Sequence, residues 1–385
     1  MYKRIIAGVS IALMLAFCVT ASAQWNGSWN TGWGTGWSGG DAGYVNPRYV
    51  LLDASLDSST VTLGPELITN GNFSAWSGDN PTGFTLAFTE DDTNYVTQVG
   101  SAARFVSTGI IGFYQSQTAR TKRSILVGIR VDSLATGSFY VSPNGGSDAA
   151  LTVTTIGQKY GVWYGIPTTS AWVVAQGSLN AVFTNLSLRD YWFADASSAA
   201  RHLSPANLMT WNTLTSGLKV LNFNGTTDLI DTGSDYYSTG AITLVRWIRP
   251  ETAGEGSAGR IVSNGKLIVA LDNTGGRISV TSDGGTTTVY SATGAWTANT
   301  WSHLVVCIGA DGKATVCING ALSGTAQQAS GTRAAGTGNV FFGNAADASK
   351  TFDGDIYGAI DIKGTPNDII GFAYARYMAT KDLYQ

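Results

Sequence analysis

Apolar and polar residues alternate over short stretches through most of this chain. "RSILVGIRVDSL" (123–134), "GSFYVS" (137–142) and "AWVVAQGSL" (171–179) each have strand length and are bounded by turn residues. In 242–249, Val245 and Trp247 fall on one strand face and Leu244 and Ile248 on the other, as suits a strand buried on both sides in a two-sheet sandwich. "HLVVCIGADGKATVCING" (303–320) predicts two strands around Asp311-Gly312-Lys313. Helical periodicity is weak everywhere; the amphipathic "NDIIGFAYARYMAT" (367–380) is read as a helix or a last strand. The pattern predicts an all-β protein.

The N-terminus follows other rules. Lys3 and Arg4 precede the apolar run Ile5 to Val19, and Ala21-Ser22-Ala23 has the small-x-small form of a cleavage site, so residues 1–23 read as an export signal. The run is shorter than the roughly 20 apolar residues that span a bilayer, and no later stretch would stop transfer. Cys18 lacks the small preceding residue of a lipidation site, because Phe17 stands there. The expectation is a secreted or cell-surface protein with no membrane span.

Beyond the signal, "QWNGSWNTGWGTGWSGG" (24–40) spaces Trp25, Trp29, Trp33 and Trp37 four apart, yet the residues between them disfavour a helix. Residues 24–64 therefore read as a Gly/Trp-rich arm and linker. Two uses of the tryptophans stay open: indoles resting on neighbouring surfaces, or an adhesive arm stacking on sugars or docking on another subunit.

Removing 23 of 385 residues leaves 362, which fits two domains of about 100–200 residues each. Formal net charge is −3 with no basic stripe, which argues against nucleic acid as a partner. Arg120, Lys122 and Arg123 form one basic cluster, read as a solvated loop. Export leaves Cys307 and Cys317 as the mature cysteines. Pairing Ala310 with Ala314 across the Asp311–Lys313 loop sets opposed residues to sum to 624, which brings Cys307 opposite Cys317 and predicts a disulfide; two buried thiols are the alternative.

Two resemblances follow from longer stretches. "ELITNGNFSAWSGDNPTGFTLAF" (66–88), with "NAVFTNLSLRD" (180–190) as closing strand, resembles the galactose-binding-like jelly rolls of carbohydrate-binding modules and of phage and bacterial surface proteins. That resemblance covers 65–190. Its usual structural calcium needs carboxylates where this chain has Ser74 and Thr184, so no calcium is expected there. "LNFNGTTDLIDTG" (221–233), "AITLVRWIRP", "GRIVSNG", "NTWSHLVVCIGADGKATVCINGAL", "VFFGN" and "FDGDIYGAIDIKG" follow in the order of a laminin-G-like, concanavalin A-like jelly roll over 220–385. The resemblance implies that Trp247 and Trp301 are core residues. It also brings 224–233 near 352–356, so that Asp228 or Asp231 with Asp353 or Asp355 would hold a calcium ion, unless these aspartates only favour turns. Residues 191–219 fit neither module and read as a linker with a short helix at Ala199–Leu203.

Candidate chemistry is sparse. A glycosidase needs two carboxylates in one site, and the four glutamates, Glu66, Glu90, Glu251 and Glu255, lie in no Glu-x-Asp-x-Glu motif. Asp353 and Asp355 share a strand face but read as loop aspartates. His202 and His303 are isolated, the latter in a packing position, and "GADGKAT" is a hairpin turn, not a phosphate loop. Tyr236, Tyr237 and Trp296 lie in turn-rich stretches where an aromatic platform or plain core packing would both fit. The expected function is a non-enzymatic protein of a bacterial or phage surface that binds a polysaccharide or surface glycan. The alternatives are a decoration subunit that contacts other subunits of a fibre or virion, and a divergent glycosidase.

Overall fold

The structure is a computed structural model that describes residues 50–384, apart from 55, 57–60, 118–123, 146–148, 166–168, 198, 238, 283–287, 326 and 329–332. The expected export signal, the tryptophan series and the basic cluster at 120–123 lie outside the described residues.

Two all-β sandwiches build the molecule. In the larger one, strands Thr210–Thr213, Lys219–Asn224, Asp353–Lys363, Ile242–Pro250, Ser302–Ile308, Lys313–Ile318 and Ala321–Leu322 hydrogen-bond in that order, all antiparallel. Facing it, strands Ile230–Asp231, Phe341–Phe342, Arg260–Ser263, Ile268–Asp272, Arg277–Thr281 and Thr288–Tyr290 form the second sheet. Period-2 alternation sends Leu244 and Ile248 between the sheets with Phe223, Ile261, Val269, Ile278, Leu304 and Phe342. The other face of the first sheet, carrying Val245, Val305, Cys307, Cys317 and Ile362, is covered by the helix Ile369–Thr380 through Phe372 and Ala373. The C-terminal apolar segment is thus a helix, capped by Asp368, whose carboxylate accepts from the Gly371 N–H at 2.8 Å. Trp247 is buried against it, whereas Trp301 is half-buried beside Tyr384 under the Arg249 guanidinium.

The smaller sandwich packs a five-stranded sheet, ordered Leu151–Val153, Phe139–Ser142, Ser170–Ala175, Gly112–Ser116 and Thr85–Leu86, on a sheet centred on the long strand Gly177–Ala194. Phe73, Phe105, Phe113, Phe139 and Phe183 fill the space between. Phe113 and Phe183 stack across it at 6.1 Å.

The stretch at 191–219, expected as a linker with a helix, carries strands His202–Pro205 and Thr210–Thr213 and, among the described residues, no helix. Phe193, Leu203 and Met209 sit in the core of the larger sandwich, which favours extended backbone with alternate residues inward. Through the pairs Phe193–Leu203 and Ser204–Asp231, one continuous sheet runs from the smaller sandwich into the larger. Entry is equally structured. Val50–Ala54, in the segment expected as arm and linker, pairs with Asp353–Lys363 of the larger sandwich, and Leu52, Ala54 and Leu56 lie in its core. Val61–Glu66 then runs beside the exit strand, with Val61 opposite Phe193 and Thr62 opposite Trp192. The smaller sandwich is therefore an insertion in the larger one, entered and left by two adjacent antiparallel strands.

The cysteines are two free, buried thiols, not a disulfide. Ile308 pairs with Ala314, so opposed residues sum to 622: Cys307 faces Thr315 and Cys317 faces Val305. The loop is Ala310–Gly312, because a three-residue hairpin needs a left-handed residue in third place and Gly312 supplies it at φ 79°. The register expected above would have put Lys313 there. A shift of this parity keeps both thiols on one face but makes them diagonal neighbours.

Candidate functional site

The residues singled out from sequence are mostly interior. Tyr237 is fully buried and Tyr236 half-buried; their hydroxyls donate to Asp361 at 2.9 and 2.7 Å. Burial, with the Asp361 carboxylate next, pushes both phenols well above their ordinary value. Trp296 is buried and its indole N–H donates to the Arg277 carbonyl at 2.9 Å. None of the three forms an exposed platform. Their turn-rich neighbours close over the core instead of opening to solvent.

The four aspartates proposed for calcium do not converge either. Asp228 accepts from the Asn224 backbone N–H and from the Asn224 and Asn207 amides, and burial raises its pKa above the usual carboxylate value. Asp231 accepts from the Tyr164 hydroxyl at 2.7 Å, the Gly233 N–H and the Asn339 amide. Asp353 accepts from the Thr252 hydroxyl at 2.6 Å, and Asp355 from Arg249, Asn212 and Asn222. A calcium ion takes six to eight oxygens, and here the carboxylates face N–H and O–H donors and a guanidinium. This set does not fit the ion. Among the described residues no group of three or more His, Cys, Asp and Glu comes together to hold a metal.

In the smaller sandwich, Ser74 donates to the Asn72 side chain and Thr184 to Asp132. The glutamates hold backbone and turns: Glu66 accepts from Ser187, Leu188 and Ile68, Glu90 from the Val96 N–H, Glu251 from the Asn222 amide and Glu255 from Thr351. His202 stacks on Trp192 at 4.9 Å. His303 is buried beside Trp247, and burial, with Arg376 adding to it, lowers its pKa to about 3.

A partly exposed aromatic surface does exist, on the outer face of the five-stranded sheet. In Gly112–Ser116, Phe113 points into the core, so Tyr114 points out; in Ser170–Ala175, Val173 points in and Trp172 out. Register makes Tyr114 and Trp172 direct cross-strand partners. Their rings stack at 4.4 Å with planes 19° apart, and both remain half-buried, so part of each meets solvent. The row continues to Thr85 on one side and Ser142 on the other, both short. Tyr140, diagonal to Trp172 on the same face, is half-buried as well. The Trp172 indole N–H donates to Ser170 Oγ at 2.9 Å, which fixes the ring. The result is an aromatic ridge on paired strands with hydroxyls around it: Thr85, Ser170 and, opposite Tyr140, Thr152; Ser142 lies in the same row but is fully buried, its oxygen accepting from the Asn144 N–H. Such a surface stacks on the C–H face of a sugar ring and offers hydroxyls to its edge. Sequence reasoning missed Tyr114 and Trp172. The available signal was parity, an aromatic at the outward position beside an inward Phe or Val; their adjacency needed the register.

Residues 224–359 match the family described as the concanavalin A-like lectin/glucanases superfamily. No curated protein sequence matches the chain. Among solved structures, domain 4 of AbnA, a GH43 extracellular arabinanase from Geobacillus stearothermophilus in complex with arabinotriose, is similar at 16% identity and TM-score 0.37, over 47% of this chain and 92% of that one. The binding domain of Paraclostridial Mosquitocidal Protein 1 is similar at 13% identity and TM-score 0.38, over 49% of each chain. The binding domain of botulinum neurotoxin serotype D follows at 12% and 0.37, over 49% of this chain and 48% of that one. The similarity thus spans about half the length of each of the last two.

Proposed function

Starting from a lectin-like jelly roll at 224–359, we propose that this chain is a secreted, non-enzymatic protein of a bacterial or phage surface that binds a polysaccharide or surface glycan. The observation that carries the proposal is the outward Tyr114–Trp172 stack, held on two paired strands and bordered by hydroxyl side chains. Rings already fixed by the sheet lose little freedom when a sugar settles on them, so more of the stacking energy appears as affinity. The non-catalytic part is supported by the carboxylates. Each glutamate accepts hydrogen bonds within the fold and the buried Asp355 is tied to Arg249, so these carboxylates hold structure and do not stand as the open acid pair a glycosidase uses.

The test is affinity electrophoresis through gels cast with a panel of polysaccharides, followed by Trp172→Ala and Tyr114→Ala. At least one polymer retards the protein, and each substitution weakens that binding about tenfold or more, the equivalent of about 1.4 kcal/mol. Retardation unchanged in both variants would remove the ridge as the site. Release of new reducing ends from a bound polymer would overturn the non-catalytic reading.

A further inference from the structure

The C-terminal helix has a second face. Phe372 and Ala373 are buried against the sheet, while Ile370, Tyr374 and Met378, at a spacing of four, are 48%, 56% and 43% exposed. Leu322, also exposed, lies on the strand Ala321–Leu322 next to the helix. The turn leading to that strand comes close enough that a Cβ on Gly320 would meet the Tyr374 backbone at 2.9 Å. A continuous apolar stripe along an exposed helix at a chain's edge is a surface waiting for a cover.

We propose that this stripe is the seat of the tryptophan-rich segment 24–45 of the same chain. The place where that segment joins the fold argues for it. Val50, the first described residue, packs in the same cluster as Ile369 and Phe372, so the chain enters the sandwich beside the first turn of this helix. Length allows it: Trp37 is 13 residues from Val50, a reach of up to about 45 Å. The stripe from Ile370 to Met378 spans only about 12 Å. Composition fits as well. Residues 24–40 carry four tryptophans and no charge, and Ile370, Tyr374, Met378 and Leu322 are uncharged, so contact buries apolar area without stranding an ion. Tethering decides between this occupant and a second copy, because a short tether presents the indoles at an effective concentration in the millimolar range.

The experiment places the photo-crosslinking residue p-benzoylphenylalanine at position 374 of the chain from Gln24 onward, a solvent-facing site that tolerates it. Light- and heavy-isotope preparations are mixed before irradiation. The expected result is a crosslink to peptides within 24–48 bearing the same isotope label as the helix. A mixed-label crosslink would assign the stripe to a second copy and overturn the proposal, as would irradiation that yields no crosslink to 24–48. Hydrogen exchange gives a readout free of the probe: amides of 369–380 lose protection when 24–45 are deleted, and unchanged exchange would count against docking.

Discussion

Arg246 and Asp361 meet at 2.6 Å on neighbouring strands inside the larger sandwich, with 1% of one side chain exposed and none of the other. The guanidinium lies over the Phe342 ring and also donates to the Val245 and Ile360 carbonyls, while Asp361 takes the two tyrosine hydroxyls. The charges are compensated only as a set. Arg246→Met or Asp361→Leu alone strands the partner and costs about 3–5 kcal/mol, whereas the double substitution costs far less than the sum. Denaturant unfolding of the four proteins checks this; additive losses would show that the pair is not coupled.

The two thiols carry a second prediction. Burial pushes Cys307 up to about 12 and Cys317 up to about 11, so almost no thiolate exists near neutral pH. Iodoacetamide at pH 8 leaves the native protein unmodified. In denaturant without reductant it adds two carbamidomethyl groups, read by intact mass. A denatured chain that resists alkylation until reduced would restore the disulfide.

His303 sets an acid limit. Its pKa is lowered to about 3 by burial and Arg376, against about 6.5 in the unfolded chain. Between these values the unfolded state holds the extra proton, so stability is full above about pH 6.5 and falls as pH drops toward 3, by up to about 1.4 kcal/mol per pH unit. The difference in unfolding free energy between the protein and His303→Gln therefore changes with pH across that window and is flat above it. A constant difference from pH 7 to pH 4 would contradict the assignment.

The junction between sandwiches offers a fourth test. Tyr164 of the inserted module donates to the buried Asp231 of the other at 2.7 Å. Tyr164→Phe keeps the ring and removes a donor to a buried carboxylate, a loss of about 1–3 kcal/mol in stability. Calorimetry of the two proteins measures it, and an unchanged melting temperature would mean the bond contributes nothing net.

Much of this fold was legible from local pattern, and what was missed has a common cause. The opposed faces of Leu244/Ile248 and Val245/Trp247 followed directly from period-2 alternation, and they are the faces found. Ser302–Ile308 is buried at every position; its outer face is hidden by a helix some 60 residues later in sequence. That helix was ambiguous because Ile370, Tyr374 and Met378 lie on its exposed face and Phe372 on its buried one, which blurs the period. Trp296 and Tyr237 sit among turn residues, and turn chemistry says that the chain reverses without saying which side faces water. The cysteine register hinged on whether Gly312 or Lys313 took the left-handed place. Tyr114 and Trp172 each had an outward parity, but their contact joins strands nearly 60 residues apart, and no local rule brings those together.

The paired entry and exit strands also bear on how load is carried. Under the proposed function, a polymer held on the ridge and pulled away would drag on the inserted sandwich, and that force would pass into the larger one through Val61–Glu66 and the end of Gly177–Ala194 together. A module hung on a single connecting peptide would swing and take the whole tension at one point. Here the two strands are cross-linked to each other by their own ladder, and each continues into a hydrogen-bonded strand or core residue of the larger sandwich. Tension on the inserted sandwich is shared between the two strands, and rotation about their junction is resisted.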